Sequence, residues 1–288
     1  MAAVLAPSFS LLPLKGDFGA EVRGLDIAQP PDAATGAALR EAFGRHRLLV
    51  FRGQRLPPAV HIAFSRIFGD LEIHVLDEYH KAEYPEIFEL SNIGPDGRPN
   101  AVHPDRGTLF WHTDASWQEV PALATLLYAE AVPRAGGHTL FADMIGAYEA
   151  LGAAERERFA TLEVVHDLEV SRRKAGYPGM TEAQRAQRPP VVQPLVRLHE
   201  ATGRRALYLG SHGQSIVGMD EVAGRGLIER VMAHCVEPRF IVDHTWQPGD
   251  LVMWDNGASM HRATEYDTAV EPRVVRRTVV RGKPVRRG

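Results

Sequence analysis

From residue 109 onward, the sequence is a series of short runs rich in β-branched and aromatic residues, separated by Pro and Gly. Many short strands with this punctuation are typical of a β-sandwich or a jelly-roll barrel. Helical patterns interrupt the series near residues 145–159 and 221–235, and we expect helices there, packed outside the sheets. The predicted strand segments are TLFWHTD, ATLLYAEAV, HTLFADM, LEVVHDLEV, PLVRLH, RALYLG, RFIVDHTW, DLVMWD and RVVRRTVVRG.

The preceding part of the chain has a mixed pattern. A helix is predicted over residues 34–43, a strand over 48–51, and a second helix that ends at Gly69. Another strand is expected at residues 87–90. Residues 92–108 are rich in turn formers and show no periodicity, so they predict a long loop. Since long loops in compact domains are often functional, this one is a candidate active-site lid.

Length and composition predict one globular domain spanning residues 1–288. The chain is 44% hydrophobic and 24% charged, and no linker-like segment divides it. A formal net charge of −3 argues against a nucleic-acid partner. The single cysteine, Cys235, excludes an internal disulfide and a thiol-rich metal site. Since the N-terminus lacks a basic region and no apolar run is long enough to cross a membrane, we expect a cytoplasmic protein.

Residues 110–116, which read FWHTDAS, contain candidate metal ligands. On a β-strand, alternate side chains share a face, so His112 and Asp114 are predicted to project to one side. His261 follows a Pro-Gly turn far downstream and is predicted at the end of another strand. Two imidazoles and one carboxylate form the facial triad of non-haem Fe(II) oxygenases, although a His-x-Asp pair also occurs by chance or in ordinary ion pairs.

The C-terminal strand segment carries several arginines. On a strand, Arg273 and Arg277 share one face, while Arg276 lies on the other. An arginine that faces the interior of a barrel keeps its charge and needs a carboxylate from the protein or from a ligand. A dicarboxylate cosubstrate would supply one, and pairing with Asp or Glu side chains of the protein is the alternative.

Several motifs in order along the chain make it similar to the taurine dioxygenase and 2,4-dichlorophenoxyacetate dioxygenase family of Fe(II)/2-oxoglutarate enzymes, from about Leu14 to Arg281. The family fold implies a mainly β protein with flanking helices and a double-stranded β-helix (jelly-roll) core. The matching segments are GAEVRGLDI, LLVFRGQ, HIAFSRIFGDL, WHTDASW, GGHTLFADM, VMWDNGASMHRAT and PRVVRRT.

The resemblance implies roles for individual residues. His112, Asp114 and His261 would bind iron at the catalytic centre, and Thr139 and Arg273 would hold the distal carboxylate of 2-oxoglutarate. A guanidinium fork matches a carboxylate, and a hydroxyl adds a charge-assisted hydrogen bond. By similarity to substrate contacts in the family, the candidates for substrate binding are Arg277, His74 and His212.

The implied activity is hydroxylation of a small anionic organic substrate with 2-oxoglutarate and O2, releasing succinate and CO2. Aryloxy-carboxylates and sulfonates are the expected substrates, and hydroxylation beside a heteroatom would cleave them. Asp77 and Thr108 stand where the taurine enzyme has tyrosine and asparagine, which argues against taurine itself. Relatives suggest a homodimer or homotetramer. A Zn-dependent hydrolase using the same His/Asp/His set and a non-catalytic jelly-roll binding protein are the alternatives.

Overall fold

A computed structural model describes residues 9–73, 80–81 and 83–288 of the chain. The strands are β1 (Ser10–Lys15), β2 (Phe18–Arg23), β3 (Leu48–Phe51), β4 (His80–Lys81), β5 (Tyr84–Ser91), β6 (Ala122–Ala131), β7 (Thr139–Asp143), β8 (Glu163–His166), β9 (Val191–Pro194), β10 (Val196–His199), β11 (Arg204–Leu207), β12 (Gly213–Ile216), β13 (Ile241–His244), β14 (Leu251–Asp255), β15 (Ser259–Ala263) and β16 (Val274–Arg281). The helices are α1 (Ala33–His46), α2 (Pro58–Ser65), α3 (Met144–Glu149), α4 (Ala153–Phe159), α5 (Leu168–Lys174), α6 (Glu182–Gln187) and α7 (Glu221–Cys235).

The largest sheet has eight strands in the order β1-β2-β3-β14-β6-β16-β5-β4. Its β2–β3 pair is parallel, whereas β14 and β16 each lie antiparallel between two neighbours. Every residue of β14 is buried, as expected for a strand covered on both faces. Side chains alternate along it, so Met253 packs on one side of the sheet and Trp254 on the other.

Two layers cover the faces of this sheet. On one face lie α1 and α2, which bury Phe43 and Phe64 against it. On the other lies a three-stranded sheet in the order β13-β7-β15, which contributes Phe141 and Val242 to the shared apolar core with Trp254. The result is a two-sheet sandwich with helices outside, which confirms the predicted mainly β jelly-roll class.

A second apolar core supports the small sheet from its other side. It combines α3 and α7 with the β12-β8-β9 sheet and the β10–β11 hairpin. Met260 of β15 is fully buried in this core, whereas its neighbour His261 points the other way, toward Phe141 and Trp254. The alternation along β15 thus places one candidate ligand between the two sheets.

Most predicted elements are confirmed, and the exceptions are the following. The strand predicted through residues 108–114 is wrong: His112 forms a single β-bridge with His261, and a turn follows at once. Ala115 has φ +58°, a left-handed conformation that ends any extended run. The helix predicted over residues 145–159 is two helices, because Gly152 has an extended conformation between them.

Two helices were not predicted at all. The segment LEVVHDLEV was expected to be a strand throughout, but β8 ends at His166 and Asp167 caps α5 through its side chain. Thr181 and Gln184 form a capping box that begins α6. Residues 92–108 form the predicted loop, with one bridge between Ile93 and Pro99 and a 3-10 turn that begins at Arg106. In the described part of the chain, no helix has the length and apolarity needed to cross a membrane.

Candidate metal centre and active site

The three residues predicted as metal ligands meet at one buried point. His112 and His261 exchange both backbone hydrogen bonds, at 3.0 and 2.8 Å, and their ring centroids lie 4.2 Å apart. The Asp114 carboxylate lies opposite them, with Oδ1 3.6 Å from Nε2 of His112 and Oδ2 3.8 Å from Nε2 of His261. One ligand atom from each residue lies within 4.8 Å of the others. A single ion can therefore be reached by all three.

Each histidine can offer a ring nitrogen to a metal. Nδ1 of His112 lies 2.8 Å from the carbonyl oxygen of Phe110 and donates to it, which leaves the Nε2 lone pair for a metal. Burial lowers the pKa of His261 to about 3, so its ring is neutral at pH 7. Trp254 packs beside this ring, with centroids 4.5 Å apart.

The Asp114 carboxylate is held ionised. Burial alone would raise its pKa, but the charges that His261, Arg277 and His112 carry at the low pH where a carboxyl titrates outweigh burial, and the pKa falls below the ordinary range. The Thr125 hydroxyl donates to Oδ2 at 2.7 Å. An ionised carboxylate with two imidazoles is a donor set suited to a divalent transition metal.

A network that the sequence did not predict fixes Asp114 in place. The Asn256 side chain accepts from the Asp114 backbone N–H at 3.2 Å and from Nε1 of Trp254 at 3.1 Å, and it donates to the Thr125 hydroxyl at 3.0 Å. The Thr113 hydroxyl donates to the Asn256 carbonyl oxygen at 2.5 Å. The only sequence feature that could have indicated this network is Asn256, a polar residue directly after the buried strand β14.

We predict that Thr125→Val weakens Fe(II) binding by about 10- to 100-fold, the usual effect of removing an outer hydrogen bond to a metal ligand. The substitution keeps the shape of the side chain while removing the donor to Asp114. Isothermal titration calorimetry with Fe(II) under anaerobic conditions measures the affinity of both proteins, wild type and variant. Thr278→Val is the matched control, because Thr278 is also buried and hydrogen-bonded, 2.6 Å from Ser65, away from the ligands. Equal weakening in both variants would contradict the prediction.

The two residues predicted to bind 2-oxoglutarate, Thr139 and Arg273, are both buried. Thr139 shares the inner face of β7 with Phe141, whose ring stacks on His261, and it accepts from Nε1 of Trp246 at 2.9 Å. Arg273 directly precedes β16 and is buried. Among the described residues, no carboxylate forms an ion pair with its guanidinium, and burial lowers its pKa. The Arg273 guanidinium is therefore a buried positive charge that a ligand can neutralise.

The other arginines of this strand have different surroundings. Arg276 projects to the opposite face, where its guanidinium contacts Glu130 and the backbone oxygen of Leu56. Arg277 projects toward the metal ligands, with Nη1 3.6 Å from Oδ1 of Asp114 and its guanidinium 4.5 Å from the centroid of Phe88. Arg276 and Arg277 thus lie on opposite faces of the strand, as predicted.

A cavity of about 240 Å³ opens beside the metal ligands. His112, Asp114 and Arg277 line it, together with His212 and Trp117. Much of the remaining wall comes from residues 168–188, which contain the two unpredicted helices. His74 and Asp77 lie outside the described residues, whereas Thr108 lines the cavity. Two of the three residues predicted to bind substrate therefore lie at one cavity.

Tyr177 connects two walls of this cavity. Its hydroxyl accepts from the backbone N–H of Arg106 at 2.9 Å and donates to Oδ1 of Asp105 at 3.2 Å. Its ring lies between the guanidinium groups of Arg106 and Arg172, 5.0 and 5.3 Å from their carbon atoms. The end of the 92–108 loop and the segment after α5 are thus held together over the cavity.

A jelly-roll sandwich with a buried His/Asp/His cluster beside a cavity has the ligand set that is typical of non-haem Fe(II) oxygenases. Comparison with known proteins agrees. The profile of the family described as "Taurine catabolism dioxygenase TauD, TfdA family" matches residues 10–279. The chain belongs to this family and is an oxidoreductase of the 2-oxoglutarate-dependent dioxygenase type.

Named relatives align over nearly the whole chain. A (S)-phenoxypropionate/alpha-ketoglutarate-dioxygenase of Sphingobium herbicidovorans is 34% identical over 97% of this chain and 97% of its own length. An alpha-ketoglutarate-dependent 2,4-dichlorophenoxyacetate dioxygenase of Cupriavidus pinatubonensis is 34% identical over 93% and 96%. The crystal structure of AAD-2 in complex with Mn(II) and N-oxalylglycine matches with a TM-score of 0.86 and 34% identity, covering 95% of this chain and 98% of that one.

Proposed function

We propose that this enzyme uses Fe(II), 2-oxoglutarate and O2 to hydroxylate a small anionic organic substrate, with aryloxy-carboxylates as the first class to test. The observation that carries the proposal is Arg277, a cation that lines the cavity and lies 3.6 Å from the ligand Asp114. A substrate acid group bound there would hold the rest of the molecule beside the metal. The phenoxyalkanoate substrates in the names of the relatives have this chemistry.

Fe(II) would be held by His112, Asp114 and His261. The imidazoles and the ionised carboxylate fit this ion, and three ligands on one side leave positions for a chelating cosubstrate and O2. When bound, the metal and 2-oxoglutarate supply the oxidising chemistry, with succinate and CO2 as coproducts. The protein supplies ligands, orientation and exclusion of water around them.

For 2-oxoglutarate, the proposed partners are Arg273 and Thr139. The Arg273 guanidinium is buried and has no carboxylate partner among the described residues, so a ligand carboxylate would neutralise it. The bond from Trp246 uses a lone pair of the Thr139 oxygen, and Thr139 therefore keeps its own O–H to donate. These two donors suit the distal carboxylate of the cosubstrate.

The substrate acid group would bind Arg277, with His212 and His74 as further contacts. Trp117 in the cavity wall would pack against an aromatic ring of the substrate. Hydroxylation of a carbon that bears an ether oxygen gives an unstable product, so an aryloxy-carboxylate would be cleaved.

We further propose that residues 92–108 act as a lid, because Tyr177 ties the end of this loop to the opposite cavity wall.

Anaerobic titration of the enzyme with Fe(II) and 2-oxoglutarate tests the proposed cofactors. Chelation of 2-oxoglutarate to the iron is expected to produce a weak visible metal-to-ligand charge-transfer band. Succinate release in air, with 2,4-dichlorophenoxyacetate and 2-phenoxypropionate as first substrates, then tests the substrate class. The proposal would be contradicted if the folded enzyme bound Fe(II) but developed no band. The zinc hydrolase and the binding protein would then be the favoured alternatives.

Arg277→Gln is predicted to raise the KM for the acidic substrate by about 10- to 100-fold, because a charge-assisted bond to the acid group is lost. The affinity for 2-oxoglutarate is expected to stay close to that of the wild type. Steady-state succinate release measures the first quantity, and the anaerobic band measures the second. An unchanged KM would exclude Arg277 as the residue that binds the acid group.

We also propose a cytoplasmic enzyme that forms a homodimer or homotetramer. The single cysteine, Cys235, is buried in α7 and free, which suits a reducing compartment. Light scattering coupled to gel filtration measures the oligomeric state directly, and a monomer at micromolar concentration would contradict that part of the proposal.

A further inference from the structure

A chain of three buried polar side chains leads from the protein interior to the cavity. The Ser116 hydroxyl lies between two imidazoles, 3.0 Å from Nδ1 of His166 and 3.1 Å from Nδ1 of His212. Ser116 and His166 are fully buried, and His212 lines the cavity beside the metal ligands. Because a hydroxyl carries a single proton, Ser116 can donate to one of these histidines and must accept from the other.

The surroundings of His166 determine which groups donate and which accept in this series of hydrogen bonds. Its Nε2 is buried and has no hydrogen-bond partner among the described residues, and its ring stacks on Tyr208 with centroids 5.7 Å apart. Burial lowers the pKa of His166 to about 4, so the ring is neutral and carries one proton. A buried N–H without an acceptor is rarer in proteins than a buried acceptor without a donor. The proton of His166 therefore resides on Nδ1 and is donated to Ser116.

The direction of the hydrogen bond between Ser116 and His212 then follows. Having accepted from His166, the Ser116 hydroxyl donates its proton to Nδ1 of His212. An imidazole nitrogen that accepts a hydrogen bond carries no proton, so the proton of His212 is on Nε2. This atom lies on the edge of the ring away from Ser116 and is the one available to a ligand in the cavity.

We propose that Ser116 and His166 are specificity-determining positioning residues that fix His212 as an N–H donor toward the substrate's acid group. The inference rests on the proposed function, since it concerns the same cavity. An N–H at this position binds a carboxylate or sulfonate oxygen and disfavours an ammonium or amide N–H, for which it has no lone pair. The opposite tautomer would present an acceptor, next to the carboxylates Asp114 and Glu72 that also line the cavity.

The tautomer of His212 can be measured without turnover. The probe is long-range ¹H–¹⁵N correlation NMR on the full chain with Zn(II) and 2-oxoglutarate bound, because Zn(II) is diamagnetic and accepts the same ligands. The His212 signals are assigned by their loss in His212→Gln. The expected result is a proton on Nε2 in the wild type and a mixture of tautomers in Ser116→Ala and His166→Phe. A proton on Nδ1 in the wild type would overturn the proposal.

Affinity for an acidic ligand provides the second measurement. The ligand is 2,4-dichlorophenoxyacetate, and its binding is followed by the change in the anaerobic band of the Fe(II)/2-oxoglutarate complex. Ser116→Ala is expected to weaken this binding by about 5- to 10-fold, the effect of one hydrogen bond. Ser65→Ala is the matched control, since Ser65 is buried and its hydroxyl donates to the His61 carbonyl oxygen at 2.8 Å. Equal affinities in Ser116→Ala and the wild type would overturn the specificity role.

The two measurements separate this inference from the proposed function. If the wild type binds 2-oxoglutarate but not the phenoxyacetate, the proposed substrate class fails, and the NMR result alone decides the inference. Should His166→Phe unfold, Ser116→Ala breaks the same chain of hydrogen bonds with the loss of one atom. A wild-type spectrum with Nε2 protonated and an unchanged spectrum in Ser116→Ala would show that Ser116 does not set the tautomer, and would also overturn the proposal.

Discussion

Replacing Asp114 with alanine is expected to abolish the visible band of the Fe(II)/2-oxoglutarate complex and to stop succinate release. Among the described residues, Asp114 is the only carboxylate in the buried ligand cluster with His112 and His261. Its removal leaves two imidazoles, which hold a divalent metal far more weakly than a set that includes an anion. The loss should exceed the roughly 10- to 100-fold effect of removing an outer partner such as the Thr125 hydroxyl.

The control must separate loss of the metal from loss of the fold. Asp250→Ala serves, because Asp250 is also fully buried and forms an ion pair with Arg52 outside the ligand cluster. We expect this variant to unfold at a lower temperature while its folded fraction still develops the band. Thermal unfolding and the anaerobic titration are measured on both variants. A band of normal intensity in Asp114→Ala would exclude Asp114 as a metal ligand.

The sequence predicted the metal cluster for a reason that is only partly correct. His112 and Asp114 were expected to converge because alternate residues on a strand share a face. They converge instead because His112 forms one bridge with His261 and the chain then turns at Ala115, which has a positive φ. The spacing was informative, but the local conformation depends on a backbone contact to β15, far along the chain, which no local pattern contains.

The parts of the site that were not predicted depend on long-range contacts. Asn256 bonds to Asp114 and Thr125 across more than a hundred positions of sequence, and Ser116 bonds to His166 and His212 across 50 and 96 positions. Each of these side chains has an ordinary local context. Only the packing of β6, β8 and β14 around the ligands brings them together. Most of the strands and the long helices α1 and α7 were predicted, because their periodicity is local.

The short helices α5 and α6 show a different limit. An apolar run with alternation predicted a strand through residues 162–170, yet the Asp167 side chain accepts from the Glu169 N–H and begins α5 there. Polar caps of this kind decide the conformation of short segments whose apolar pattern fits either structure. Since these helices supply much of the cavity wall, the substrate preference of the enzyme depends on a region that the sequence pattern described poorly.

Arg273→Gln is predicted to weaken 2-oxoglutarate binding by about 30-fold or more without lowering the stability of the ligand-free protein. A buried guanidinium that pairs with a ligand carboxylate contributes a strong charge-assisted interaction, and its loss is expected to cost several kcal/mol, on the order of 2 to 5. In the free protein the same group is a desolvated charge, as its lowered pKa indicates. Removing it should leave the free energy of unfolding unchanged or raise it by up to about 3 kcal/mol.

The neighbouring arginine provides a control with the opposite pattern. Arg276 is also buried, but its guanidinium already contacts Glu130 and the Leu56 carbonyl oxygen. Arg276→Gln should therefore lower the free energy of unfolding and leave the 2-oxoglutarate titration of the folded protein close to normal. Urea unfolding and anaerobic titration of both variants measure the two quantities. If Arg273→Gln destabilised the free protein as much as Arg276→Gln does, Arg273 would be part of the framework, with its charge satisfied by the protein and not by the cosubstrate.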